Sequence, residues 1–253
     1  MTRIAVAGAL GRMGTNIGRL VDEAPDLELV GGVDLMEGSF FGKTVVPSAR
    51  LDAFLKEKKP DVLIDFTVAA AAVENIKAAA ANNVALVVGT TGFSPEQRDV
   101  IRGAVEGNVP AVISSNFSVG VNIFWKLVRE AARQLGDYDI EVTEAHHRHK
   151  KDAPSGTAKT ILEILDQELG NREKVYGRVG DALRKEGEIG VHAVRGGDIV
   201  GDHSVLFAGN YECIEVSHRA YDRAVFAQGA VRAARWVAGK EPRIYSMQEV
   251  LGL

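Results

Sequence analysis

RIAVAGALGRMG, residues Arg3–Gly14, is the stretch on which the fold turns. Arg3–Ala7 is a short apolar run that reads as a buried strand. It passes directly into a loop with glycine at 8, 11 and 14, and Thr15–Glu23 beyond it has helical spacing through Ile17, Leu20 and Val21. A strand, a glycine loop and a helix in that order suit a dinucleotide. Gly8 makes the tight turn, Gly11 lets backbone approach a pyrophosphate, and Gly14 lets the helix pack close on the strand. The phosphates would sit at the helix N-terminus, with Arg12 as a further cation. The spacing is G-x-x-G-x-x-G where G-x-G-x-x-G is commoner, so a glycine-rich turn without a ligand is the competing reading.

Outward from this stretch, strand and helix alternate. Leu27–Asp34 is a second strand, and its terminal acid stands where an adenosine ribose hydroxyl is bound in Rossmann domains. Asp34 is therefore the candidate ribose acceptor. Leu35 after it carries no charge to meet a 2′-phosphate, which favours NADH over NADPH, although Lys43 could compensate. Further strands are expected at Asp61–Phe66, Val84–Val88 and Val109–Ile113. Helices are expected at Ser48–Lys59, at Ala69–Ala81 with Thr67 as its cap, and from Ser94-Pro95-Glu96 onward. The loops at Gly89-Thr90-Thr91-Gly92 and Ser114-Ser115-Asn116-Phe117 follow strand ends, where open α/β sheets bind ligands. This predicts an α/β domain over 1–117, a doubly wound parallel sheet of Rossmann type.

The pattern then changes. Val119–Leu135 reads as an amphipathic helix with Val121, Phe124, Leu127, Val128 and Ala131 on one face. Tyr138–Ala145 alternates like a strand, Thr157–Leu169 is helical, and Arg172–Gly187 is polar and loop-like. Ile189–Arg195, Ile199–Ala208 and Tyr211–Ser217 read as three strands of an antiparallel sheet joined by short turns. A second, α+β domain on a mixed or antiparallel sheet is thus expected over 118–219. Ala220–Ala238 is a helix with Phe226, Val231 and Trp236, and Ser246–Leu251 a short helical piece. With no strand expected after residue 219, the tail 220–253 should complete the first domain. The joints between domains would lie near Asn116–Val121 and His218–Tyr221.

The chemistry concentrates in EAHHRHKKDAPSGTA, Glu144–Ala158. Pro154 stops any helix from running through, Ser155 is a good N-cap, and Gly156 and Thr157 would offer first-turn N–H groups to an anion. Lys150 and Lys151 add positive charge. The imidazoles of His146, His147 and His149 can supply a proton near neutral pH. A metal site is the weaker reading, because cysteine is absent nearby and His-His-x-His is not a common zinc spacing. A merely solvated basic face is the other alternative, and the anion-binding helix start argues against it.

Composition narrows the classes. The chain has 253 residues, 46% hydrophobic and 25% charged, enough for a sizeable core. A formal net charge of −4 argues against nucleic acid as a partner. No apolar run reaches bilayer length, and MTRIAVAGALGRMG lacks a signal peptide's layout, so no membrane and a cytoplasmic location are expected. Cys213 is the single cysteine and sits in a strand-like run, which excludes an internal disulfide and favours a core or sheet position over a nucleophile.

Taken together, GALGRMG, DFT at 65–67, GTTGF at 89–93, NFSVGVN at 116–122, the histidine block and FAQGAVRAARW at 226–236 resemble the 4-hydroxy-tetrahydrodipicolinate reductase (dihydrodipicolinate reductase) family along essentially the whole chain. The resemblance implies NADH- or NADPH-dependent reduction of a small cyclic dicarboxylate in the diaminopimelate route of lysine biosynthesis, by a homotetramer. It implies that Gly8, Ala9, Leu10, Gly11, Arg12 and Met13 hold the phosphates and Asp34 the ribose. Gly89, Thr90, Thr91, Ser114, Ser115, Asn116 and Phe117 would line the nicotinamide side. His146 would donate the proton, Lys150 would be the second catalytic residue, and His147, Ser155, Gly156 and Thr157 would bind the substrate's carboxylates. No metal is implied. Where many members carry arginine after the Asp34-like acid, this chain has Leu35. The competing functions are a dehydrogenase of another small acid such as aspartate, and a non-catalytic dinucleotide sensor. The histidine block favours the reductase.

Overall fold

The computed structural model describes residues 1–253, which divide into two units, Met1–Val119 with Ala224–Leu253, and Gly120–Arg223. The first runs β1 (Thr2–Ala7), α1 (Arg12–Asp22), β2 (Leu27–Asp34), β3 (Gly38–Phe40), β4 (Lys43–Pro47), α2 (Leu51–Lys58), β5 (Val62–Asp65), α3 (Ala69–Ala81), β6 (Ala85–Val88), α4 (Pro95–Val105) and β7 (Ala111–Ile113). The second unit contributes α5 (Val119–Gln134, its first residue belonging to the first unit), β8 (Asp139–His146), α6 (Gly156–Leu169), β9 (Lys174–Tyr176), β10 (Ile189–Arg195), β11 (Gly201–Ala208) and β12 (Cys213–Ala220). The chain then returns with α7 (Ala224–Val237), β13 (Ile244–Tyr245) and α8 (Met247–Leu251).

Ile4, Ala5, Val6 and Ala7 are all fully buried, so β1 needs cover on both faces. It gets it at the middle of a sheet ordered β13-β7-β6-β5-β1-β2-β4-β3, parallel throughout except for β3. Ile4 and Val6 pack with Ile17 and Val21 of α1 and Ala230 and Ala234 of α7. Ala5 and Ala7 face the other way, into Leu55, Ile76 and Ile101 from α2, α3 and α4. The chain winds outward from β1 through β2 to β4, then starts again at β5 on the other side of β1. That reversal is the switch point of a doubly wound sheet, and it brings the loops after β1, β2, β5, β6 and β7 to one edge.

Several local expectations are corrected. Helix α1 begins at Arg12, three residues before Thr15, because Gly11 takes the extended N-cap conformation. Thr67 does not cap α3. Val68 is the N-cap without a side-chain bond, and the Thr67 hydroxyl instead donates to buried Asp65. The β3–β4 hairpin was not anticipated. Its turn residues Phe41 and Gly42 have φ of 49° and 70°, and a phenylalanine there lacks the usual Asn-Gly signal. The tail does carry a strand, since β13 pairs with β7.

In the second unit the order is β12-β11-β8-β10-β9. The sheet is mixed, because β8 inserts between β10 and β11, parallel to the first and antiparallel to the second. Short turns alone had suggested consecutive antiparallel pairing. The expected loop at 172–187 contains β9, paired in parallel with β10. Residues Ala220 onward are not yet helix: Ala220 ends β12, and α7 begins at Ala224. Helices α5 and α6 cover one face through Phe124, Val128, Ile161 and Leu165, packed on Ile140, Val142, Val205 and Phe207. Leu127 is 52% exposed, off the buried stripe, whose places Asn122 and Trp125 take. The opposite face presents Thr143, Asp202, Ser204, Glu215 and Ser217 along a groove of about 610 Å³. Cys213 lies exposed at the start of β12.

Candidate active site

At the carboxyl edge of the first sheet, Gly8 turns the chain out of β1 with φ of 76°, a conformation glycine adopts freely. Its N–H and that of Ala9 donate to the Val33 carbonyl at 2.9 and 3.2 Å. Asp34 braces the same loop. Its Oδ2 accepts the Leu10 N–H at 2.8 Å and its Oδ1 the Leu35 N–H at 2.7 Å. Each carboxylate oxygen keeps a second lone pair for a hydroxyl. No side chain caps the N-terminus of α1, and Gly11, Arg12 and Leu10 are exposed there. A glycine-lined turn, an uncapped helix start and an acid at the end of the second strand fit a dinucleotide.

Under the neighbouring loops sits Asp65, with no exposed surface. Its Oδ1 accepts the Thr67 N–H, the Thr67 hydroxyl and the Thr90 hydroxyl at 2.9, 2.7 and 2.9 Å, and its Oδ2 accepts Asn75 Nδ2 at 2.7 Å. Thr90 is buried by this knot, whereas Thr91 and Ser115 are exposed. The Ser114 hydroxyl donates to the Asn116 carbonyl at 2.8 Å, and Asn116 Oδ1 accepts the Ser118 N–H at 2.9 Å. Phe117 is only 1% exposed, its ring centroid 5.6 Å from that of Phe66. Its side chain is therefore core beneath the loop. Ala9 is likewise fully buried.

The second unit assembles the histidine block around a carboxylate. His146 ends β8, and Glu144, two residues before it, shares its face. Glu144 Oε2 lies 2.6 Å from His146 Nδ1. Arg195 forks onto both Glu144 oxygens at 2.8 Å each, and the Ser155 N–H donates to Oε1 at 3.1 Å. Ser155 Oγ accepts the Ala158 N–H, capping α6, and meets His203 Nε2 at 3.1 Å. The His203 and His146 rings stand edge to face, 5.1 Å between centroids. The cap takes the N–H of Ala158, and Gly156 is exposed. Lys150 Nζ pairs with Asp152 at 2.9 Å, and His147 is half-buried beside it. The structure thus gathers His146, His147, Lys150, Ser155, Gly156 and Thr157 in this unit, and the glycine-loop, Asp34 and Thr90 groups in the other.

Burial alone would raise the Glu144 pKa, but the bonds from His146 and Arg195 outweigh it and bring it down to about 2. Burial, then repulsion from His146, pushes His203 down to about 3. Burial and the positive charge of Arg223 also lower the His147 pKa. These shifts imply an acid-labile fold. Unfolded His203 binds a proton near pH 6.5, which the folded site refuses until about 3. Its stabilisation is complete above pH 6.5 and is lost as pH falls, by about 1.4 kcal/mol per unit. Glu144 acts in the same sense lower down, between pH 4.5 and about 2. Urea unfolding at pH 7.5, 6 and 5 should show this slope, and His203→Gln should reduce it above pH 4.5, leaving what His147 and His218, also lowered by burial, contribute. A flat wild-type profile from 6.5 to 5 would contradict it.

Sequence reasoning passed over Glu144, Arg195 and His203. The first was findable, because a residue two before His146 on a strand must share its side. The others were not, since only strand pairing sets Arg195 opposite His146 and His203 opposite Glu144.

A Rossmann sheet with this phosphate loop, joined to a unit carrying a carboxylate-anchored histidine, defines a two-domain oxidoreductase that uses a nicotinamide nucleotide. Within that class the chain belongs to the dihydrodipicolinate reductase family: residues 2–117 match its N-terminal and residues 120–251 its C-terminal description. It is 83% identical over its full length to the 4-hydroxy-tetrahydrodipicolinate reductase of Methanoculleus marisnigri, covering 100% of each chain. It is 68% identical to that of Methanoregula boonei, covering 100% of this chain and 99% of the other. Among solved structures, the dipicolinate-bound dihydrodipicolinate reductase from Paenisporosarcina sp. TG-14 superposes with a TM-score of 0.82 at 26% identity, over 98% of both chains.

Proposed function

We propose that this chain reduces 4-hydroxy-tetrahydrodipicolinate to tetrahydrodipicolinate with NADH or NADPH, the 4-hydroxyl leaving as water, in the diaminopimelate route to lysine. The observation that carries the reading is the buried Glu144–His146 pair beside Lys150 and the start of α6. In the first unit, residues Gly8–Met13 hold the phosphates, Asp34 the ribose, and the loops at Gly89–Thr91 and Ser114–Phe117 the nicotinamide end. When bound, the nucleotide supplies a hydride. In the second unit, the N–H groups of Gly156 and Thr157 and the ammonium of Lys150 hold one substrate carboxylate, and the His147 ring donates to the other. Ser155, whose N–H and hydroxyl are both engaged, contributes by fixing where α6 begins. His146 donates a proton from Nε2 to the carbon skeleton left electron-rich by reduction.

Leu35 and Met36 stand 82% and 72% exposed beyond Asp34, and Arg50 is paired with Glu37 at 3.3 Å, which supports NADH as the better donor. The test is oxidation of NADH and NADPH by the purified protein, coupled to a synthase that generates the unstable substrate. Substrate-dependent oxidation, faster with NADH, is expected. No oxidation of either nucleotide by folded protein that binds both would refute the reductase reading. The polar sheet face opposite α5 and α6 supports a homotetramer, checked by light scattering, and the biosynthetic role supports a cytoplasmic location.

Gly201 guards access to the donor atom. A Cβ there would stand 3.1 Å from His146 Nε2. Gly201→Ala should therefore lower kcat roughly tenfold with NADH affinity unchanged, a rise of about 1.4 kcal/mol in the barrier. Unchanged kcat would show that substrate reaches Nε2 from another side.

A further inference from the structure

We infer that Glu144 is a positioning residue for the proton transfer: clamped by Arg195, it fixes the orientation and tautomer of His146 so that Nε2 is the atom that gives up the proton. The inference rests on reading His146 as the donor.

The geometry supports it at each step. Glu144 is 1% exposed, and both its oxygens are committed, Oε2 to His146 and Arg195, Oε1 to Arg195 and the Ser155 N–H. An ionised carboxylate only accepts, so at 2.6 Å the contacting Nδ1 must carry hydrogen. The protonated ring can then lose only its Nε2 proton while that contact lasts, and the neutral ring is the Nδ1–H tautomer. Nε2 points the other way, towards the place where Gly201 has no side chain. The same Arg195 also donates to the Asp152 carbonyl at 2.6 Å, and the Asp152 side chain holds Lys150. One guanidinium therefore sets Glu144, and through it His146, in register with the segment that carries Lys150.

The groups facing His146 are Glu144 on its own strand, Arg195 from β10, His203 from β11, and His147 and Lys150 from the following loop, with Arg223 acting on His147. His203 stays neutral and Arg195 is neutralised by Glu144. The Glu144 carboxylate is the one acidic group in contact with the His146 ring. An acid partner orients and stabilises imidazolium in this way in the Ser-His-Asp triad.

A purely structural role, tying β8 to β10 and α6, would change stability and leave the pH dependence alone. The experiment is the pH profile of kcat/KM for wild type, Glu144→Gln and His146→Gln, with KM for NADH measured alongside. In addition, ¹⁵N chemical shifts of His146 in the wild type would be read above the alkaline limb of its profile. Glu144→Gln should lower kcat about 10²-fold, keep KM for NADH within about threefold, and move the alkaline limb at least about one pH unit lower. The wild-type shifts should report the Nδ1–H tautomer. An unmoved limb in Glu144→Gln, or an Nε2–H tautomer in the wild type, would overturn the inference. If Glu144→Gln does not fold, the wild-type tautomer decides alone. Wild-type turnover in His146→Gln would instead remove the donor reading itself, whereas an inactive His146→Gln beside a normal Glu144→Gln would remove only the positioning role.

Discussion

His146→Gln is expected to lower kcat by about 10²–10⁴-fold, the usual contribution of one positioned general acid. Glutamine can still reach Glu144 through its amide, so the buried carboxylate keeps a partner and the fold is spared the cost of an uncompensated charge. An amide nevertheless has no proton to give at neutral pH. Reduction would then wait on a proton from water. NADH affinity, read from nucleotide fluorescence, should stay within a factor of about two because His146 lies in the other unit from the phosphate loop. Near-normal turnover in a correctly folded His146→Gln would strike this residue from the mechanism.

Gly14→Ala should be among the most damaging single methyls in the first unit. A Cβ at Gly14 would lie 2.0 Å from the Gly8 carbonyl oxygen and 2.7 Å from Ala9 Cα, both backbone atoms. Neither can rotate away, so α1 has to lift off the loop it packs against. The expected cost is about 3 kcal/mol, the upper range for overpacking, or a fall in Tm of roughly 6–12 °C for a chain of this size. Since the displaced segment is Gly8–Met13, NADH affinity should fall at least about 100-fold. Gly103→Ala in α4 is the control, because nothing lies within 4 Å of its Cβ position. There the substitution should be neutral or stabilising by up to about 1 kcal/mol. Equal effects at Gly14 and Gly103 would show that the close approach at Gly14 does not matter.

Much of the first unit was legible because its signals are local. A buried β1, a glycine turn and an amphipathic α1 are neighbours in the chain, and Ser94 caps α4 with Pro95 at its first position as expected, the cap closed into a box by Gln97. What failed locally failed for a reason. Phe41 in the left-handed region hid the β3–β4 turn, and the Asp65 carboxylate drew Thr67 away from α3.

The sequence by itself determined the doubly wound first unit and the residue types of the histidine block, with an N-cap placed to open α6. Those follow from periodicity, turn chemistry and spacing, which act over a few residues. Only the tertiary structure decided that β8 lies between β10 and β11. With that came Arg195, 51 positions from Glu144, and His203, 48 positions from Ser155. Strand order depends on which buried faces can be covered together, a property of the whole sheet. No local stretch encodes it, and the surroundings of His146 are therefore a consequence of pairing.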